Sequence, residues 1–220
     1  MTVDTLQKLY VEELRDLYSA ENQILKTLPK MIKAASHKDL KRGFTLHERQ
    51  TRQQVKRLDR IFKELDESPR GKKCVGMEGL LKEGAELIKE KPEADILDAG
   101  LISKAQHVEH YEMAGYGSVR TWAEALGFAE QAQLLQETLN EERETDETLS
   151  ELAESVVNVD ALVASAESEL RPTARHRKGT RGQRASAESQ VGRQVEREPG
   201  VGTGAGFGLG SEAESPDLLI

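Results

Sequence analysis

With a single cysteine, Cys74, the 220-residue chain cannot form an intrachain disulfide, which suits a reducing compartment. Aromatic residues are only 4% of it, so a core must be mostly aliphatic, favouring packed helices over an aromatic-rich sheet. No apolar run has the length of a signal peptide or a membrane span, and the N-terminus opens directly into amphipathic sequence. The expectation is a soluble, cytoplasmic protein with no membrane partner. Cationic residues are in deficit, 31 Lys and Arg against 39 Asp and Glu, and the formal charge of −8 argues against an overall nucleic-acid-binding protein.

What the chain does have is helical periodicity. Apolar side chains recur every three or four residues over four long stretches, residues 5–35, 38–65, 95–126 and 129–157. Leu6, Tyr10, Leu14, Leu17, Ile24 and Leu28 make the first stripe. Gly127 is a natural stop between the third and fourth. After the second, the breaker Asp66-Glu67-Ser68-Pro69-Arg70-Gly71 opens a connection longer than a tight hairpin needs, with its own small amphipathic helix near residues 77–89. The pattern predicts an all-α fold, a four-helix bundle with one long crossover containing a short helix. Residues 1–158 form this bundle. The remainder, 159–220, reads as a low-complexity, mostly disordered tail, with a short helical piece admissible around 161–170. Residues 171–184 carry six Arg and Lys and no acid, enough for weak, salt-sensitive nucleic-acid binding without sequence preference.

Each long helix also carries an acid near its middle on the face that should be buried. At about 100° per residue, Glu21 falls inside the first stripe, between Leu17 and Ile24. Glu109 is centred between Ile102 and Tyr116, and Glu142 between Leu135 and Leu149. Glu112 and Asp146 lie one turn further along their helices. On the second helix Thr51 takes the stripe centre, His47 and Glu48 straddle it one turn earlier, and Gln54 lies at its margin. Carboxylates enter a helical bundle only when something cationic meets them, since an unpaired buried charge costs at least several kcal/mol. A pair of divalent ions, iron or manganese, is the familiar solution in a four-helix bundle. Glu21, His47, Glu48, Glu109, Glu112, Glu142 and Asp146 are the candidate ligands, and Tyr18 or Tyr116 could hydrogen-bond to one of them. His110 lies off the stripe, outside the first ring of ligands or in solvent, and His37 and His107 are expected in solvent.

Several segments resemble the YciE/YciF family of ferritin-like proteins. They are Glu13-Leu14-Arg15-Asp16-Leu17-Tyr18-Ser19-Ala20-Glu21, Cys74-Val75-Gly76-Met77-Glu78-Gly79-Leu80, Gln106-His107-Val108-Glu109-His110-Tyr111-Glu112 and Leu135-Gln136-Glu137-Thr138-Leu139-Asn140-Glu141-Glu142. The likeness covers roughly residues 3–158. It implies a ferritin-like bundle, a homodimer, a link to bacterial stress responses and ferroxidase-like chemistry with dioxygen or peroxide. The usual ferritin-like Glu-x-x-His pairs are absent: the third helix offers Glu109-x-x-Glu112 and the fourth Glu142-x-x-Thr145. The competing reading is a non-catalytic helical dimer, a stress-protection or scaffold protein, whose inward acids are satisfied by Lys, Arg or His across the bundle.

Overall fold

The structure, a computed structural model, describes residues 3–170. Of the tail expected over residues 159–220, the part beyond residue 170, with its basic segment, lies outside the described residues, while residues 159–170 are helical. Six α-helices run in chain order: α1 (Leu6–Ala34), α2 (Lys38–Glu64), α3 (Val75–Glu90), α4 (Ala94–Ala125), α5 (Ala129–Leu152) and α6 (Asn158–Leu170). A π-helical turn, Ala153–Val157, joins α5 to α6, so the predicted fourth helix continues as one rod. The short helix admitted near 161–170 is the end of that rod, and Ala161 is buried on it. None of the described helices is long and apolar enough to cross a membrane.

Helices α1, α2, α4 and α5 form the bundle, with α1 against α2 and α4, and α5 against α2 and α4. Their ends follow from local chemistry. The Thr5 hydroxyl accepts the Lys8 amide at 3.2 Å, and the His37 ring, expected in solvent, caps α2 by accepting the Asp39 amide at 3.3 Å. Gly127 takes a left-handed backbone, φ +80°, at the α4–α5 turn, as expected of a helix stop.

The crossover helix α3 packs on α1 and α4. Cys74 caps it from a buried position, its amide donating to Ser19 Oγ at 2.9 Å and its thiol 3.0 Å from the Tyr111 oxygen. Tyr111 donates in turn to Asp16 Oδ2 at 2.8 Å. The solitary cysteine is thus a joint between crossover and bundle.

Two apolar clusters fill the interior. One contains Ile24, Leu28, Met31, Phe44, Leu101 and Ile102; the other contains Tyr10, Leu14, Leu58, Phe62, Val119 and Leu135. A polar layer separates them in sequence on every long helix, and that layer is the site.

Candidate metal centre

The inward acids expected on α1, α4 and α5 are buried. Glu21, Glu112 and Glu142 are 0% exposed and Glu109 is 2% exposed. On α2 it is His47 that turns inward, at 3%. One ligand-capable atom from each of His47, Glu109, Glu112 and Glu142 lies within 4.8 Å of every other. His47 Nε2 approaches Glu109 Oε1 at 3.4 Å, and Nδ1 is 4.0 Å from Glu142 Oε2.

Hydrogen bonding fixes part of this group and leaves the rest open. Tyr116 donates to Glu21 Oε1, as one of the two sequence assignments for a tyrosine has it. Tyr18 instead sets its ring edge-on to Phe62, centroids 5.9 Å apart. Gln54 donates to Glu142 Oε1 and, at 3.0 Å, to Glu141 Oε2, while Arg57 grips Glu141 through two contacts of 2.7 Å. The Thr51 hydroxyl turns back to the His47 carbonyl at 2.8 Å. Both oxygens of Glu112, both ring nitrogens of His47 and one oxygen each of Glu21, Glu109 and Glu142 have no hydrogen-bond partner.

No Lys or Arg among the described residues forms an ion pair with these four acids. Burial is therefore the leading cause that drives the Glu21, Glu109 and Glu112 carboxyls well above the usual range, with repulsion among the acids adding to it. Glu142 is pushed up to about 7 by burial. The same loss of solvent holds the His47 imidazole neutral, its pKa lowered to about 4. A buried polar atom without a partner costs roughly 1–3 kcal/mol, and more if charged. The layer is thus costly as bare protein and complementary to a cation. An imidazole with several carboxylates is the donor set that divalent iron and manganese accept, so the residues present fit such an ion.

Two predicted ligands are elsewhere. Glu48 follows His47 by one residue, about 100° around the helix, and is ion-paired with Arg52 at 2.6 Å. Asp146 accepts from the Gln106 side chain at 3.1 Å and faces the exposed His110 ring at 3.3 Å. One turn beyond Glu142, it has reached the rim of the α4–α5 seam. Gln54 was legible only as a marginal position. With Thr51 it makes an inward pair three residues apart, the spacing at which ferritin-like helices carry Glu-x-x-His.

Residues 5–162 match the family model described as "Domain of unknown function (DUF892)". The chain is 41% identical over 159 residues to Protein YciF of Escherichia coli K12, covering 72% of this chain and 96% of that protein. The crystal structure of the E. coli stress protein YciF superposes with a TM-score of 0.69 at 41% identity, over 71% of this chain and 99% of that one. YcfI from Rhodopseudomonas palustris gives 0.66 at 42% identity, over 68% and 97%. The fold is the ferritin-like bundle with a helical crossover, and the chain belongs to the DUF892 family that includes YciF.

Proposed function

We propose that the chain is a ferritin-like dinuclear-metal protein that takes two iron ions, or manganese, into its buried acid layer and oxidises ferrous iron with dioxygen or peroxide, limiting damage under stress. The observation that carries this reading is the set of buried donors on α2, α4 and α5 that face one another, with Glu21 of α1 alongside, without a protein cation among them. His47, Glu109, Glu112 and Glu142 would hold one ion, and Glu21, beside them with a free oxygen, would extend the set to a second. Bound there, such ions supply the one-electron redox change that side chains lack.

The chain's own residues do the rest. Tyr116 orients Glu21, and Gln54 orients Glu142. The hydrocarbon clusters above and below exclude water, which strengthens every charge interaction in the layer. The stress-response role rests on the relative YciF, described as a stress protein. A homodimer is part of the proposal, as the assembly that the family resemblance implies.

Elemental analysis of protein from cells supplied with iron or manganese tests the reading, followed by oxygen uptake on adding ferrous ion. The wild type is expected to hold metal in stoichiometric amount and to consume oxygen, and Glu109→Ala and Glu142→Ala to lose both. Full metal content in either variant removes the assignment.

A further inference from the structure

A small cavity of about 20 Å³ lies against the acid layer with His47 and Glu109 in its wall. Ile24, Leu28, Phe44, Ala105 and Val108 supply hydrocarbon around it. The further polar side chain, Thr27, already donates its hydroxyl to the Gln23 carbonyl at 3.1 Å. Space of this order holds about one water-sized molecule. Apart from the two candidate ligands, the wall offers such a molecule almost nothing to hydrogen-bond.

Outside it lies a wider groove of about 350 Å³, walled by α1, α3 and α4. The groove and the cavity share Thr27, Met31, Leu81 and Val108. Met31 and Val108 are buried, whereas Thr27 and Leu81 are half-buried, and Leu81, on the crossover helix, is the apolar one of that pair. Five lysines line the groove; Lys73, Lys82 and Lys104 are ion-paired with Glu78, Glu86 and Glu83, which leaves Lys26 and Lys30 on α1 as its net positive charge.

Lining and throat select together. Lys26 and Lys30 repel a hydrated divalent cation, and the hydrocarbon behind them would strip its hydration at a cost no contact there repays. An anion is drawn to the lysines and stopped by the same hydrocarbon. Hydrogen peroxide would have to abandon its hydrogen bonds with water. A neutral, apolar diatomic loses nothing. We infer that the groove between α1 and α3, with the cavity behind it, is the route by which dioxygen reaches the acid layer, and that Leu81 is its gate. The inference rests on the metal reading above for its purpose, but its geometry can be tested without metal.

The probe is dioxygen under pressure on methyl-labelled, metal-free wild-type protein, read as paramagnetic relaxation of each methyl. The Ile24 and Leu28 methyls are expected to relax several-fold faster than those of the comparably buried Leu14, Leu58 and Leu135 beyond the acid layer. Equal relaxation on both sides overturns the route. Ala105→Leu, which fills the cavity, is expected to abolish the excess at Leu28. In protein loaded anaerobically with ferrous ion it should slow dioxygen consumption about ten-fold, leaving bound iron and the peroxide-driven rate unchanged. A folded Ala105→Leu protein that consumes dioxygen at the wild-type rate contradicts the inference. Should that variant not fold, Leu81→Ala at the half-buried gate is expected to raise the Leu28 relaxation, and no change there counts against it. Wild-type protein that binds no metal refutes the metal reading, while the relaxation data still decide the route.

Discussion

At the residue scale the acids behave as proton stores until a cation replaces the protons. Glu21, Glu109, Glu112 and Glu142 have raised pKa values in the folded protein, so their contribution to stability is complete below the ordinary carboxylate range and is lost as pH rises through the raised values. His47, lowered to about 4, acts oppositely: its contribution is present above its ordinary 6.5 and is lost as pH falls toward 4. Between pH 6.5 and about 8 the acids are the main groups that titrate differently between folded and unfolded states, the raised Cys74 thiol and tyrosines acting at higher pH. The metal-free protein is therefore expected to melt at progressively lower temperature from pH 6.5 to about 8. Glu142→Gln should flatten part of that slope and raise the pH 8 midpoint by about 4–8 °C, corresponding to roughly 2 kcal/mol. Calorimetry in chelator checks both, and a flat wild-type profile would contradict the raised values. Sequence periodicity was enough to find Glu21, Glu109 and Glu142, because each sits mid-stripe between apolar residues. It was not enough to separate His47 from Glu48: α2 is rich in charge, and which side of so weak a stripe turns inward depends on where α1 and α5 lie.

Elements are held around the layer by polar joints that the sequence did not announce. Asp98, buried on α4, accepts from the Ser36 amide at 2.8 Å, the His37 amide at 2.7 Å and the Ser36 hydroxyl at 2.5 Å, closing the α1–α2 turn onto the bundle. Removing that acceptor leaves three donors to find water. Asp98→Ala is expected to cost roughly 2–3 kcal/mol in urea unfolding without lowering metal content, because no ligand rides on that turn. A loss of metal equal to that of Glu142→Ala would tie the turn to the site. The long helices and the helical crossover were legible because apolar spacing and breakers are local signals. Close approach was legible only in part. At Gly115 a Cβ would lie 2.8 Å from Leu17 Cδ2, so its absence lets α1 and α4 meet near the layer. The extension of α5 through the π turn into α6 was not read from periodicity, since Val159, Leu162 and Val163 stay exposed and trace no apolar stripe.

For the whole molecule, the acid layer divides an otherwise continuous hydrocarbon interior into two clusters. A bundle built for stability alone would fill that level with leucine, because buried charge without a partner is a net cost. The arrangement is coherent if a cation belongs there, and its energetics then couple metal binding to proton release. Titrating manganese into metal-free protein anaerobically near neutral pH, in two buffers of different protonation enthalpy, measures that coupling directly. Saturable binding with net proton release, much weakened in Glu142→Gln, is the predicted result. No saturable heat, or binding that releases no protons and ignores the substitution, would contradict it.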